Sequence, residues 1–176
     1  MIYYTSDLHL GHENLIILCN RPFETIEEMD EAIIKNWNAV VHKTDTVYIL
    51  GDLIFRAERP PEEYLERLRG KKHLILGNHD ESWIKKVELS KYFESVSNFA
   101  IINTGYGKAT LCHFPLLDAE SRYIIHGHTH ARKDLPYWDY LKNSERTLNV
   151  GVDLNGYKPV LFQELVENNI KFKSEG

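Results

Sequence analysis

Thr46-Val47-Tyr48-Ile49-Leu50-Gly51-Asp52 is the stretch on which the reading of this chain turns. Its first five residues are β-branched, aromatic or aliphatic, and a run so short between polar neighbours predicts a buried strand. A glycine follows at once and permits a sharp turn; a carboxylate follows the glycine. The same design recurs on both sides. Upstream, Ile2 to Ser6 predicts a strand that delivers Asp7, with His9 two residues on. Downstream, His73 to Leu76 predicts a strand ending at Gly77-Asn78-His79-Asp80. Ala109 to His113 predicts another, closing on His113, and Arg122 to His126 leads into Gly127-His128-Thr129-His130.

Between the early strands the periodicity is helical. Gly11 to Asn20 carries Leu15, Ile16 and Leu18 on one side. Thr25 followed by Glu28 resembles a capping box for a helix to about Val41, with Met29, Ile33, Trp37 and Val40 at helical intervals. Pro60 or Pro61 opens a helix that stops at Gly70, and another follows Asp80 through about Val87. The second half is strand-rich: Tyr92 to Val96, Phe99 to Asn103, Thr147 to Val150 and Pro159 to Phe162 join the two strands above, and a helix follows over Gln163 to Asn168. Alternating strand and helix argues for a parallel sheet, and the strand-rich half for a second one. The expected fold is therefore α/β: two sheets face to face with helices outside, in a single domain over residues 1–176.

Composition bounds the function. Hydrophobic residues make up 43% and charged residues 27%, with a formal net charge of −5. No apolar run approaches the ~20 residues that span a bilayer. The start, MIYYTSDLHL, does not read as a signal peptide. Two cysteines, Cys19 and Cys112, are too few for a disulfide scaffold, so a cytoplasmic setting is expected. The acidic balance argues against broad nucleic-acid binding and suits a cation pocket. A small phosphate-ester substrate is compatible with it, as is a homo-oligomer.

Strand carboxyl ends are where α/β sheets bind ligands. Five strands releasing Asp, His and Asn at one edge can converge on one point. In an extended segment Asp7 and His9 would face one side, as would His128 and His130. These atoms are all oxygen or imidazole nitrogen, a set suited to Mn, Fe, Zn or Co. Each segment alone has an ordinary explanation, such as a turn with a surface histidine or an Asp-capped helix. All five in order leave that explanation little room.

With those five motifs, from Asp7 to His130, the chain resembles the calcineurin-like metallophosphoesterase superfamily. It is similar in particular to the small single-domain bacterial and phage phosphoesterases, whose features Gly11-His12-Glu13-Asn14, Asn20-Arg21-Pro22-Phe23 and Asn149-Val150-Gly151-Val152-Asp153 also match. The resemblance implies a four-layer αββα sandwich of two mixed β-sheets and a site of two divalent metal ions: Mn first, with Fe, Ni, Co or Zn as alternatives. It implies Asp7, His9, Asp52 and His130 on one metal and Asp52, Asn78, His113 and His128 on the other, Asp52 bridging. His79 would face the leaving group as catalytic residue. One departure stands out: many relatives have an Asp three residues after the bridging Asp, where this chain has Phe55. That weakens any role for His79 as an Asp-oriented acid, and Asp80 is expected to cap the next helix instead.

Outside the motifs, Arg21 is the candidate substrate-phosphate contact, since a guanidinium grips phosphate bidentately. His12 and Asn14 are candidates to line the pocket. Tyr137, Trp138 and Tyr140 fall in an expected loop, read as structural ahead of base-stacking. The implied activity is hydrolysis of a phosphodiester or phosphomonoester, small or nucleotide-like. The alternatives are a nuclease, which should carry a basic strip, and a metal-binding scaffold, which should have damaged motifs.

Overall fold

A computed structural model describes residues 1–175. The first sheet has the order β4-β3-β2-β1-β9. Its strands are β1 (Ile2–Thr5), β2 (Thr46–Leu50), β3 (Lys71–Ile75), β4 (Phe93–Ser97) and β9 (Val160–Leu161). The first four run parallel, with Thr5 opposite Ile49 and Leu50 opposite Ile75, and β9 lies antiparallel against β1. The second sheet has the order β5-β6-β7-β8, from β5 (Phe99–Asn103), β6 (Lys108–Cys112), β7 (Tyr123–His126) and β8 (Thr147–Asn149). Strand β5 is antiparallel to β6, while β6, β7 and β8 are parallel. The architecture is two mixed sheets flanked by helices, as expected, with two reassignments. Strands β4 and β9 join the first sheet and not the second, because β4 continues the parallel series beyond β3 and β9 returns to cover the free edge of β1.

Among the described residues there are six α-helices: α1 (Asn14–Leu18), α2 (Ile26–Val40), α3 (Pro61–Leu65), α4 (Glu81–Ile84), α5 (Trp138–Asn143) and α6 (Phe162–Ser174). The Thr25 side chain accepts from the Glu28 amide at 3.1 Å and so caps α2. The Glu28 carboxylate accepts from the Glu24 amide and not from that of Thr25, so the box is one residue wider than its usual form. Helix α3 is shorter than its pattern predicts, and α6 runs six residues further. Tyr137, Trp138 and Tyr140, expected in a loop, lead into and form α5, whose Trp138 ring packs edge-on to Phe172 of α6. No helix among the described residues is long and apolar enough to cross a membrane.

Strand alternation divides the core in two. On one face of the first sheet Tyr3, Val47, Ile49 and Leu74 pack against Met29, Ile33 and Trp37 of α2. On the other, Tyr4, Leu50 and Ile75 meet Ala109, Leu111, Ile125 and Leu148 of the second sheet, with Phe162 and Leu165 of α6. Trp37 is fully buried and its indole donates to the Arg69 carbonyl. Burial of each such side chain contributes roughly 1.5–3 kcal/mol. The consequence for the site is directional. Strands β1, β2, β3, β6, β7 and β8 point their carboxyl ends at one edge, and a parallel bridge from Ser6 to Gly151 joins the sheets there.

Candidate metal centre

All seven expected ligands lie in the loops at that edge. Asp52 sits at their middle. Its Oδ2 is 3.4 Å from Nε2 of His9, 3.5 Å from Nε2 of His113 and 4.0 Å from Nε2 of His79. Ligand atoms of Asp7, His9 and His130 lie within 4.8 Å of one another, as do those of Asp7, Asp52 and His113. The rings of His9 and His130 are 5.3 Å apart, and those of His113 and His128 5.1 Å.

The pairs converge for a reason other than the expected one. Asp7, His9, Asp52, His128 and His130 all have left-handed backbones, with φ of 58°, 52°, 52°, 67° and 48°. These are not extended segments whose alternate side chains share a face; each ligand is turned inward individually. Such conformations cost non-glycine residues free energy and persist only where the surroundings impose them. Here cross-strand bonds do so: Asp7 N–H donates to Gly51 and His9 N–H to Asp52. Gly77 and Gly127 give the room. A Cβ on Gly77 would lie 2.3 Å from Asp52 Oδ1, and one on Gly127 2.5 Å from Asp7 Oδ2.

The donor set fits a divalent cation. His9 Nε2 is buried and has no hydrogen-bond partner, a costly state for a ring nitrogen in a dry interior. His113 holds its Nδ1 2.7 Å from the Leu50 carbonyl, which fixes the proton there. Its Nε2 then presents a lone pair to the centre, 3.0 Å from the side-chain amide of Asn78. His130 Nδ1 bonds Asp153 Oδ2 at 2.8 Å, leaving its Nε2 free. Burial opposes charge on His130, but Asp153, Cys19 and Asp7 outweigh it and raise its pKa to about 10. Burial likewise opposes charge on Asp52, yet His9 and His113 hold it down at about 2. Asp7, Asp52 and Asp153 thus bring carboxylates to these imidazoles.

The neighbours expected to touch substrate divide. Arg21 does not face the pocket: it is 4% exposed and all its donors are engaged. Nε and Nη2 bond Asp153 at 2.8 and 3.1 Å, Nη2 also bonds the Asp7 carbonyl at 2.7 Å, and Nη1 bonds the Leu8 carbonyl at 2.9 Å and contacts Met29 Sδ. Buried beneath the Asp7 loop, the guanidinium has nothing left for a phosphate, so the expected contact is corrected to a brace. His12 is buried, 3.4 Å from His9 through the Nδ1 atoms; burial, then His9, lower its pKa to about 4. Asn14 is exposed at the start of α1 and lines, with His12, a separate charged cavity of about 220 Å³. His79 packs its ring 4.2 Å from Phe55.

Three residues escaped sequence reasoning. Asp80 makes no side-chain cap on α4. It is fully buried, and its carboxylate instead accepts from the amides of Asp52 (2.9 Å), Leu53 (3.0 Å) and Gly77 (2.8 Å) and from the Trp83 indole. Asp153 clasps Arg21 and His130. Asn149 bonds Thr129 Oγ1 and the His130 carbonyl. The motif Asn149 to Asp153 was visible, but nothing local indicated its partners. Cys19 brings a sulfur within 4.8 Å of ligand atoms of His130 and Asp153.

A two-sheet sandwich here gathers carboxylates and imidazoles from six strand ends around one buried centre. The chain belongs to the calcineurin-like phosphoesterase family, whose model matches residues 1–169. An uncharacterized protein of Methanocaldococcus jannaschii is 38% identical over 94% of this chain and 89% of its own. The gene 66 protein of Mycobacterium phage L5 is 32% identical over 88% and 87%. The crystal structure of a protein of unknown function from Aquifex aeolicus superposes with a TM-score of 0.74, at 27% identity, covering 95% of this chain and 98% of that one.

Proposed function

We propose that this chain hydrolyses a small or nucleotide-like phosphodiester or phosphomonoester at two divalent cations bridged by Asp52. The observation that carries the reading is the position of Asp52 Oδ2, within 3.4–4.0 Å of three imidazoles from three separate segments. In this reading Asp7, His9, Asp52 and His130 hold one cation, and Asp52, Asn78, His113 and His128 the other. The oxygen and imidazole set suits Mn, with Fe, Ni, Co or Zn as alternatives. Bound in pairs, such cations lower the pKa of a water and neutralise phosphate oxygens.

The protein's own contribution is orientation and charge. Asp52 would be the carboxylate shared between the two cations, offsetting their repulsion. The Leu50 carbonyl and Asp153 fix the protons of His113 and His130 on Nδ1, so both rings present Nε2 to the centre. His79 is the catalytic residue in contact with substrate: its side chain is 36% exposed and its Nε2 is 4.0 Å from Asp52. From there it hydrogen-bonds a phosphate oxygen or gives a proton to the departing alkoxide. Burial lowers its pKa, with the Asp52 charge opposing, so the neutral imidazole is favoured.

The test is metal reconstitution. Protein stripped by chelator is given Mn, Ni, Co, Zn or Mg, and turnover of nitrophenyl phosphate is compared with that of bis-nitrophenyl phosphate. Turnover that requires metal and vanishes in Asp52→Asn supports the reading, and the preferred ester names the class. Two cations bound with no turnover of any ester would leave a scaffold, and no binding at all would overturn the ligand assignment.

A further inference from the structure

Beside the candidate centre lies an apolar cavity of about 410 Å³, walled by Phe114, Leu116, Leu117, Tyr137, Tyr140 and His128. Phe114 follows His113 directly, and its ring stands edge-on to both His113 (4.9 Å) and His128 (4.8 Å). Tyr140 Oη donates to the Leu117 carbonyl, tying the loop after β6 to α5. Phe114, Leu117, Tyr137 and Tyr140 are 44%, 78%, 40% and 39% exposed. Clustered exposed apolar side chains of this size mark a binding surface.

We propose that this cavity is a substrate subsite for an uncharged aromatic group esterified to the phosphate. The inference rests on the phosphoesterase reading and deepens it. His128 belongs both to the candidate centre and to the cavity wall, so a group seated here is continuous with a phosphate held at the centre. The wall offers three aromatic rings, which favour a flat partner through edge and offset contacts. It carries no acid, lysine, arginine or side-chain amide. The Tyr140 hydroxyl is already engaged and His128 is a candidate cation ligand, so of the wall's side chains the Tyr137 phenol is what remains for the polar edges of a nucleobase. A plain aryl group leaves nothing unsatisfied and is the better match.

Calorimetric titration of the Mn-supplied protein with phenylphosphonate, methylphosphonate and butylphosphonate separates the cases, because these bind without being turned over. Phenylphosphonate should bind at least about tenfold more tightly than methylphosphonate. Tyr137→Ala should cut that ratio while leaving methylphosphonate affinity alone, and Phe114→Ala should cut the ratio more strongly. Equal affinities, or a ratio that survives both substitutions, would overturn the subsite and leave the phosphoesterase reading standing. Butylphosphonate binding as tightly as phenylphosphonate would overturn the aromatic assignment. If no phosphonate binds and no ester is hydrolysed, both readings fall together.

Discussion

Asp80 accepts the backbone N–H of Asp52 at 2.9 Å, across a separation of 28 residues. One buried carboxylate therefore pins the loop after β2 to the loop after β3, and so holds the central carboxylate beside Asn78. In Asp80→Asn one oxygen becomes an NH₂ that confronts amide donors. This substitution should destabilise the metal-free protein by roughly 2–4 kcal/mol. Urea unfolding in chelator reads this apart from any loss of bound metal; a change under 0.5 kcal/mol would contradict the bracing role.

Arg21 fastens the Asp7 loop to Asp153, which in turn orients His130. Arg21→Lys keeps the charge and loses the fork. Affinity for Mn should fall about 10–100-fold, as for other groups that orient a ligand, while KM for a nitrophenyl ester at saturating Mn stays within about twofold. A KM effect with unchanged metal affinity would restore Arg21 to the substrate.

Asp30 accepts the Gly11 amide at 3.0 Å beneath the first loop. Burial pushes its pKa up from 3.8 to about 6 despite that bond. A raised folded pKa means the group's stabilising contribution is complete below pH 3.8 and is lost as pH rises through about 6. Asp30→Asn keeps an acceptor for Gly11 and cannot ionise. Relative to wild type it should gain roughly 1–3 kcal/mol between pH 4 and 7.5, measured by urea unfolding at both values. A difference that does not change with pH would refute the assignment.

The Phe55 ring lies against that of His79. Phe55→Asp should raise the pKa of His79 by about one unit through the added charge. If His79 supplies a proton, the alkaline limb of kcat against pH moves up with it. A limb that stays in place would assign His79 to hydrogen bonding alone.

Much of this molecule was readable from its residues in order. The alternation that makes two sheets, the glycines at the turns and all seven candidate ligands lie in short local patterns, because a strand of five residues and the turn after it are set by neighbouring side chains. Even so, the assignment of β4 and β9 to the first sheet depended on which edge was open. Periodicity reports that a segment is a strand, but not which strand it meets.

What the sequence by itself determined is therefore the strand-then-ligand design and the chemistry of its atoms. What only the tertiary structure decided is how those atoms are held. Arg21 and Asp153 meet across 132 residues, and Asp7 receives the His128 amide across 121. No spacing encodes such pairs, so Arg21 looked like a phosphate contact. The inward tilt of Asp7, His9, Asp52, His128 and His130 is of the same kind. A left-handed residue is locally unfavourable and exists only because the assembled loops impose it.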